Sequence, residues 1–457
     1  MKELINILKD CNSYINRPIY LKNNKGIIFY LEAGFDGRRF DEFIFEFNKA
    51  PYDISLLHKN FPSSFELIHE LNVNFYLKNL ADGRIFLFFE ELDLVYMGHF
   101  NNIQMRSISS SELDPVNLFG SKESFIENIK VNYTLITRRI KTENLRFIDY
   151  EIGSVTKSIV RLVYIEGFVR KSIIRKIENS LEKIDIKGIR TIGDITGVFN
   201  RHSYLPLVQI TSSVEATQNY LMNGRCIIMI DNFPTVLVLP ITIDVFTNLP
   251  DEASSPKYYL FYTRTLTYFL YIIAVFLLGI YITLINFHSN CLSLQMISEI
   301  KTASKGSTLP LIGEIIFITF VFEFLRIASS KTPSSNIQSL VITVGGLLIG
   351  QNTVSSGFVS PFNLVITALS YLATYGVTNN KHLIIGLSYQ RMFILISSYF
   401  FGILGFIASS IIVINYVNRL NSFSVKYLSP LSLKGFKEML DSKLKSKSLL
   451  TMKGKNK

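Results

Sequence analysis

The pattern of apolar and polar positions divides the chain at about residue 264. Before that point, short apolar runs such as 27–35 and 84–98 alternate with polar segments of helical spacing, as in a fold that mixes helices and strands. Beyond it, long runs carry no charged side chain. The pattern therefore predicts a water-soluble first half and an all-α, multi-pass transmembrane second half.

The water-soluble half is predicted to be α+β and to consist of two α/β subdomains, residues 1–119 and 120–255. Helical intervals between the apolar residues that follow Gly120 indicate a helix that links the two subdomains. Within the second subdomain, strand-like and helix-like patterns alternate, which predicts a small α/β unit. Its predicted elements are a strand at 158–167, a helix at 170–184, and strands at 225–231 and 235–240.

The transmembrane domain is placed at residues 256–418. Residues 265–287 carry no charge over 23 positions, and at ~1.5 Å per residue such a helix crosses a ~30 Å hydrocarbon core. Further uncharged runs of 49 and 27 positions begin at residues 332 and 392. The predicted membrane segments are 265–287, 311–328, 337–351, 358–378 and 392–416.

The number of full crossings is inferred from the charge at the end of the chain. Residues 419–457 form a tail with 10 basic and 2 acidic residues, which favours the cytoplasmic face and contact with anionic lipid. Segment 311–328 contains ionisable side chains, and segment 337–351 is short. We therefore expect four full crossings, one short or re-entrant segment and a cytoplasmic N-terminal domain. Five full crossings are the alternative.

Composition and charge narrow the possible classes of function. The first 264 residues hold 31 basic and 31 acidic side chains, so the net charge of +11 comes from the 16 basic and 5 acidic residues beyond them. Basic flanks around apolar runs are typical of membrane proteins and argue against nucleic-acid binding. The three cysteines are too widely spaced for a zinc motif or a disulfide framework, and no nucleotide-binding or nucleophile motif occurs. The sequence predicts no enzyme activity, no cofactor and no metal site.

Ionisable side chains inside an apolar segment mark candidate functional positions, because each costs roughly a few kcal/mol to insert. Segment 311–328 contains Glu314, Glu323 and Arg326. Glu323 and Arg326 are three positions apart and can pair on one helix face. Two interpretations remain: an ion pair that only stabilises the helices, or a functional site. Glu314 is nine positions before Glu323, so we expect it to face away from Glu323 and to lie near a helix N-terminus.

A second candidate region is the run VITVGGLLIGQNTVSSGFVSP at 341–361. Small and weakly polar side chains are frequent there. One interpretation is close packing between helices. The other is the wall of a water-filled path, where irregular backbone is tolerated at membrane depth. The candidate pore and gating residues are Gly345, Gly346, Leu347, Gly350, Gln351, Asn352 and Pro361.

Several blocks of this sequence resemble the A subunits of the GerA family of spore germinant receptors. They include FGSKESFIENIKVNYTLITRRIKTENLRF and VYIEGFV before the apolar runs, and GEIIFITFVFEFLR, VGGLLIGQNTVSSGFVSP and YLSPL among and after them. Glu314, Glu323 and Arg326 match positions of the family. Prolines or acidic residues of the family are replaced in this chain by Ser293, Gln295, Thr308, Thr319, Ile327 and Ser355.

The resemblance implies a receptor in the spore inner membrane. In such a receptor, A subunits form a homo-oligomer around an ion path, together with a transporter-like B subunit that takes the nutrient and a lipoprotein C subunit. We therefore expect a subunit of a nutrient-gated cation channel that triggers germination. A non-conducting scaffold or signal-relay subunit of the same receptor is the alternative. A secondary transporter is a second alternative, although the sequence has no internal repeat of the kind such transporters contain.

Overall fold

The structure is a computed structural model in which the N-terminal residues form two mixed subdomains and the C-terminal residues form a helical bundle. The helical bundle is defined as the helices between Lys257 and Arg419. The described residues are 2–10, 14–21, 24–31, 37–49, 65–69, 72–89, 93–99, 121, 123–200, 203–247, 257–291, 293, 295, 298, 309–331, 346 and 350–428.

The first subdomain is built around an antiparallel sheet with the strand order β1-β2-β4-β5-β3. The ring of Tyr76 packs on those of Phe86 and Phe88, with centroid distances of 4.7 and 5.5 Å, which attaches helix α3 to the central strand β4. Its elements are α1 (Lys2–Asp10), β1 (Ile15–Leu21), β2 (Asn24–Tyr30), α2 (Gly37–Lys49), β3 (Phe65–Leu67), α3 (Val73–Ala81), β4 (Arg84–Phe89) and β5 (Leu94–His99).

The second subdomain also contains an antiparallel sheet, with the strand order β6-β7-β9-β10-β8. Its elements are α4 (Ile129–Arg139), β6 (Leu145–Ile152), β7 (Ser158–Ile165), α5 (Lys171–Glu182), α6 (Ile192–Asn200), β8 (Gln209–Thr211), α7 (Val214–Met222), β9 (Cys226–Ile230) and β10 (Val236–Leu239). The predicted mixture of helices and strands is confirmed for the N-terminal half. Every described strand pair is antiparallel, and direct hairpins join β1 to β2, β4 to β5, β6 to β7 and β9 to β10.

Helix α5 shows why the second subdomain folds in this way. Its buried residues are Ile173, Ile174, Ile177 and Leu181, which recur at helical spacing and form one apolar face. That face packs on the sheet in a common core with Leu162 and Ile228. The charged residues of α5 lie on the opposite, exposed side.

The sheet of the second subdomain presents one edge to the helical bundle. Leu239 at the end of β10 pairs with Cys226 at the start of β9, and Val163 near the end of β7 pairs with Ile227. The Gln209 side chain at the start of β8 accepts a hydrogen bond from Asn380 of the bundle (3.0 Å). The edge at which β7 and β10 end and β8 and β9 begin is called the bundle-proximal edge. The hairpin between β6 and β7 lies at the opposite, distal edge.

The bundle helices are long and apolar. They are α8 (Lys257–Phe287), α9 (Leu311–Ser330), α10 (Pro361–Val377) and α11 (Lys381–Arg419). Two stretches in the described part of the chain, Phe261–Phe287 and Lys381–Arg419, are long and apolar enough to cross a membrane, and the apolar α10 is shorter. Ser360 caps α10 by accepting a hydrogen bond from the Asn363 N–H, and Pro361 takes the first helical position, where its missing N–H costs nothing.

Helix α11 reverses its direction at Gly402, which has φ +59° and ψ −138°, a conformation that glycine adopts most readily. Tyr389 and Tyr416 lie on either side of Gly402 and are 27 positions apart, a separation of ~40 Å in a straight helix. Their ring centroids nevertheless lie 6.5 and 4.4 Å from that of Tyr204. Helix α11 is therefore a hairpin with a first arm at 381–401 and a second arm at 403–419.

The reversal corrects the prediction of one helix over 392–416. A Cβ atom on Gly405 would lie 2.1 Å from the Ser397 carbonyl oxygen, so the two arms approach each other more closely than any larger residue permits. The apolar pattern continues through the reversal because both arms are apolar, and it therefore conceals the turn. The first arm also begins earlier than predicted, since the Asn380 side chain caps it by accepting hydrogen bonds from the N–H groups of residues 382 and 383.

Helix α8 and the first arm of α11 run away from the subdomains, whereas α9, α10 and the second arm of α11 run back toward them. The Tyr281 hydroxyl donates to Asn363, and Gly376 packs on Leu270, so α8 and α10 are antiparallel. The end of the bundle that contacts the second subdomain is called the near end, and the opposite end the far end. The first arm of α11 starts at the near end and reaches the far end at Gly402, where the Phe287 ring packs on it.

The chain returns to the second subdomain after Arg419. The strands β11 (Asn421–Ser422) and β12 (Val425–Lys426) form a short hairpin there. The Ser422 hydroxyl donates to the Leu207 carbonyl (3.1 Å), and the Ile243 N–H donates to the carbonyl of the buried Tyr427 (3.0 Å). The C-terminal flank of the bundle is therefore held on the second subdomain.

Two predicted regions fall wholly or largely outside the described residues. Of segment 337–351, only residues 346, 350 and 351 are described, and all are helical. Gly345 and Leu347 lie outside the described residues, as do residues 429–457 of the basic tail.

Candidate functional site

A network of charged and polar side chains joins α9, α10 and the first arm of α11 in the near half of the bundle. Glu323 lies at its centre. Its Oε2 accepts a hydrogen bond from Arg326 Nε (2.7 Å), and its Oε1 accepts one from the Ser388 hydroxyl (2.8 Å). The Tyr371 hydroxyl lies 3.3 Å from the same Oε1. Glu323 and Arg326 thus form the ion pair that their spacing allowed, and the same carboxylate also holds two neighbouring helices.

Arg391 completes the network from the first arm of α11. Its side chain is 0% exposed, and its Nη1 and Nη2 donate to the hydroxyls of Thr374 (3.1 Å) and Ser388 (3.2 Å). The guanidinium lies 3.8 Å from the ring centroid of Tyr371, a contact worth about 2 kcal/mol when water is excluded. Neutral acceptors and an aromatic ring therefore hold this cation, without a direct ion pair among the described residues.

The network carries an excess of positive charge, since it contains the two guanidinium groups of Arg326 and Arg391 and the single carboxylate of Glu323. The Ser388 hydroxyl connects the two parts: it accepts a hydrogen bond from Arg391 and donates one to Glu323. Hydrogen bonds of this kind are stronger in a low-dielectric interior, and leaving them unmade is more costly. A shift of the first arm against α9 would break the contact at Ser388, so the network is sensitive to relative helix position.

Glu314 occupies a separate site toward the far end. It is 1% exposed, and its Oε2 accepts hydrogen bonds from the Ser360 N–H (2.8 Å) and the Asn363 side-chain amide (2.7 Å). These donors lie at the start of α10, where the helix dipole favours a negative charge. The structure therefore does not bring Glu314 and Glu323 together; Glu314 joins the starts of α9 and α10.

A short loop of the second subdomain, residues 203–207, inserts between both arms of α11. The Tyr204 ring stacks on that of Tyr416 at 4.4 Å and contacts the edge of the Tyr389 ring. The Tyr204 hydroxyl accepts a hydrogen bond from the Gln390 amide, whose oxygen accepts one from the Tyr271 hydroxyl of α8. Burial raises the pKa of Tyr204 to about 12, so its hydroxyl stays protonated at neutral pH.

The same loop makes further contacts on either side of Tyr204. The Ser203 hydroxyl accepts a hydrogen bond from the Tyr416 hydroxyl (3.4 Å). A Cβ atom on Gly386 would lie 2.5 Å from the Leu205 side chain, so the first arm approaches the loop closely. Residues 203–207 are called the coupling loop, because they contact both arms of α11 and the C-terminal hairpin and are connected to α8 through Gln390.

The predicted pore residues that the structure describes lie outside the packed interior of the chain. Among the described residues, a Cβ atom on Gly346 would meet nothing within 4 Å, and one on Gly350 would meet only a Leu364 methyl group at 3.8 Å. Gln351 and Asn352 are exposed, as are Ser355 and Ser356 one helical turn later. Pro361 starts α10 next to the site of Glu314. These residues contact neither the charged network nor the coupling loop in the described part of the chain.

Sequence reasoning missed Arg391, Ser388, Tyr371 and the coupling loop. Arg391 immediately precedes an uncharged run, so the pattern leaves it just outside the predicted segment 392–416. The signal for a longer helix was Asn380, an N-cap residue eleven positions before Arg391. The sequence has no comparable signal for Tyr204, because its partners are 185 or more positions away apart from Tyr271.

Other residue types in the described part of the chain do not form a chemical centre. No group of three or more His, Cys, Asp or Glu side chains there could hold a metal ion. Cys226 is buried in β9, and burial raises the pKa of its thiol, which suppresses the thiolate at neutral pH. The arrangement therefore consists of contacts that position helices.

The known proteins that this chain resembles are described as spore germination proteins. Residues 2–456 match the family model described as Bacillus/Clostridium GerA spore germination protein. The chain is 31% identical over 369 residues to spore germination protein XA of Bacillus anthracis, covering 79% of this chain and 74% of that protein. It is 27% identical over 370 residues to spore germination protein A1 of Bacillus subtilis strain 168, covering 80% and 76%.

Among solved structures, the chain is similar to the crystal structure of the N-terminal domain of the A subunit of the Bacillus megaterium spore germinant receptor GerK3. The sequence identity is 21% and the TM-score is 0.40. The match covers 52% of this chain and 91% of that domain.

Proposed function

This chain belongs to the GerA family of spore germination proteins, and we propose that it is the A-type membrane subunit of a germinant receptor. In this proposal, copies of the chain surround a cation-conducting path in the spore inner membrane. The path opens when a nutrient binds to the receptor, and the loss of monovalent cations triggers germination. The observation that carries the proposal is the exposed polar surface formed by Gln351, Asn352, Ser355 and Ser356 beside apolar helices.

The proposed topology has the two subdomains in the cytoplasm and several helices across the membrane. Basic residues at the near end support it, among them Arg264, Lys331, Lys381 and Arg419, because basic residues accumulate on the cytoplasmic side. The C-terminal hairpin contacts the second subdomain, so the chain enters and leaves the bundle at the same end. We therefore propose an even number of crossings, which agrees with the four full crossings expected from the sequence.

The proposed conducting path is lined by residues 346–356. Polar side chains exposed among apolar helices are costly against lipid, so they are expected to face water or another subunit. The residues that the structure describes leave room for a Cβ atom on Gly346 and on Gly350, so neither glycine is required for close packing against that part of the chain. A ring of identical subunits would place this small, weakly polar surface around a central axis.

We propose a transporter-like B subunit and a lipoprotein C subunit as partners, on the basis of family membership. The coupling loop supports a mechanism in which a signal received by the cytoplasmic subdomains or by a partner changes the positions of the α11 arms. Population shift between a closed and an open arrangement requires such a differential contact. The proposal assigns no catalytic step, cofactor or nucleic-acid contact to the chain.

A non-conducting relay subunit is a second candidate, and one observation favours it. The charged network holds two guanidinium groups and one carboxylate, and an excess positive charge within the bundle repels cations. If this network lay beside the ion path, it would oppose cation passage. In the relay reading, residues 346–356 serve as a contact surface for other subunits.

Replacement of Gly346 or Gly350 by leucine tests the conducting role. We expect potassium release after nutrient addition to be lost, while the amount of the protein in the spore membrane stays normal, because no described residue clashes with a Cβ atom at either position. Gly279→Leu is the matched control: its side chain would clash with Ile394, whose methyl group lies 2.5 Å from the Cβ position. This variant should lower protein abundance instead.

The two candidates predict different outcomes in these variants. Normal potassium release with normal abundance in both Gly346→Leu and Gly350→Leu would exclude this segment as the conducting path. Loss of potassium release together with loss of the partner subunits from the membrane would favour the relay subunit.

A further inference from the structure

The turn between β7 and α5 lies at the bundle-proximal edge of the second subdomain. Strand β7 ends at Ile165, two residues after Val163, which pairs with Ile227 near the start of β9. Helix α5 then starts at Lys171 and runs back to the distal edge, where the Lys187 carbonyl accepts a hydrogen bond from the Val155 N–H (2.8 Å). The start of α5 is therefore on the side from which the bundle helices leave.

This turn presents an aromatic side chain together with basic ones. Phe168 is 43% exposed, and the buried Val169 anchors the turn in the core. Arg170, Lys171 and Arg175 are exposed and follow within two helical turns. An aromatic residue flanked by lysine and arginine is a typical composition of surfaces that contact the headgroup region of a membrane.

A contact with the C-terminal hairpin positions this surface relative to the near end of the bundle. The Lys176 ammonium donates a hydrogen bond to the Ser424 hydroxyl. Ser424 is five residues beyond Arg419, the last residue of α11. It therefore lies close to the near end of the apolar bundle helices. Lys171 and Arg175 have no ion-pair partner among the described residues, whereas Arg146 in the neighbouring strand is paired with Glu166.

We propose that Phe168, Arg170, Lys171 and Arg175 form a docking surface for anionic lipid headgroups. The proposal rests on the proposed membrane location of the bundle. The ring of Phe168 inserts at the interface, and the basic side chains contact lipid phosphates, which holds the second subdomain at a fixed tilt on the membrane. Anionic lipid is the chosen occupant because the surface continues from the bundle, and because Lys171 and Arg175 have no ion-pair partner among the described residues.

The experiment uses the absence of tryptophan from the chain. In Phe168→Trp, the introduced residue is the sole indole, so its emission reports one position. The full chain is reconstituted in nanodiscs of phosphatidylcholine with about one third phosphatidylglycerol, with or without bromine on the lipid acyl chains. We expect the Trp emission of Phe168→Trp to be quenched by brominated lipid. Val155 lies in the turn between β6 and β7 at the distal edge and is 75% exposed, so the emission of Val155→Trp should not be quenched.

Charge reversal tests whether the basic side chains bind the phosphates of anionic lipid. In the Phe168→Trp background, Lys171→Glu with Arg175→Glu should lower the equilibrium constant for membrane contact of this surface about five-fold for each basic charge removed. Nanodiscs of pure phosphatidylcholine should have the same effect. Lys183→Glu with Lys187→Glu is the matched control, since it makes the same charge change at the distal end of α5. Quenching that is insensitive to lipid charge and to the Lys171/Arg175 reversal would overturn the proposal and indicate a protein partner.

A second reporter separates failure of this proposal from failure of the membrane location. Phe269→Trp lies on α8 at a site that is 57% exposed. Quenching at residue 269 without quenching at residue 168 would reject the docking surface alone. The absence of quenching at both positions would reject the membrane location on which the docking surface depends.

Discussion

Replacement of Tyr204 by alanine should loosen the second subdomain from the bundle. The ring stacks on Tyr416 at 4.4 Å, with an angle of 10° between the rings, and meets Tyr389 edge-on. Aromatic pairs contribute about 0.5–1.5 kcal/mol each beyond the area they bury. Since part of the ring is exposed, we expect a total loss of about 2 kcal/mol, which is a roughly 30-fold change in the docking equilibrium.

The Tyr204→Phe variant is the internal control for this estimate. It keeps both ring contacts and loses only the 3.4 Å hydrogen bond from Gln390. Such a bond contributes at most about 0.5–1.5 kcal/mol to the free energy of docking. Hydrogen–deuterium exchange of the full chain in detergent or nanodiscs measures the effect. The amides of residues 203–211 and 420–427 should exchange up to about 30-fold faster in Tyr204→Ala and only slightly faster in Tyr204→Phe.

Tyr20→Ala removes an exposed tyrosine of the first subdomain and should leave these amides unchanged. Equal exchange in Tyr204→Ala and the wild type would refute the view that the coupling loop holds the subdomain on the bundle. Faster exchange throughout the second subdomain would instead mean that Tyr204 stabilises the subdomain fold.

Three further predictions address the bundle. Gly402→Ala should cost about 1–3 kcal/mol of strain and lower the amount of folded protein in the membrane, whereas Gly197→Ala, which meets no atom within 4 Å, should not; equal yields would contradict the hairpin. Glu314→Leu should reduce the melting temperature of the purified protein much more than Glu314→Gln, because leucine leaves two buried donors at about 1–3 kcal/mol each; equal shifts would contradict the site. In a Cys11→Ser background, a membrane-impermeant maleimide should label the exposed Cys291 from outside and leave the buried Cys226 unlabelled; labelling of Cys291 only from inside would reverse the topology.

The fold of the N-terminal half could be predicted largely from local pattern. The run CIIMI became β9 and the run VLVL became β10, both fully buried, and the helical spacing of isoleucines gave α5. These features depend on periodicity within one element. The antiparallel pairing within each sheet depends on contacts between distant residues, which one sequence does not contain.

The candidate site was predictable only in part, for a physical reason. Glu323 and Arg326 stand out because charges inside apolar segments are costly, and their spacing already predicts a pair. The sequence does not indicate a role for Arg391, because the predicted segment 392–416 begins one residue after it. Its partners Thr374 and Ser388 are neutral, so no opposite charge marks the site. The reversal at Gly402 could not be read from hydropathy, since one glycine among apolar residues is compatible with a straight helix.

Ion flux through the reconstituted receptor tests the central claim most directly. The chain, purified together with its proposed partner subunits, is placed in liposomes loaded with a potassium-sensitive dye, and nutrient is added. The account predicts potassium flux that depends on nutrient, is abolished by Gly346→Leu and persists in a variant such as Tyr20→Ala. An assembled, nutrient-binding complex that passes no potassium would contradict it.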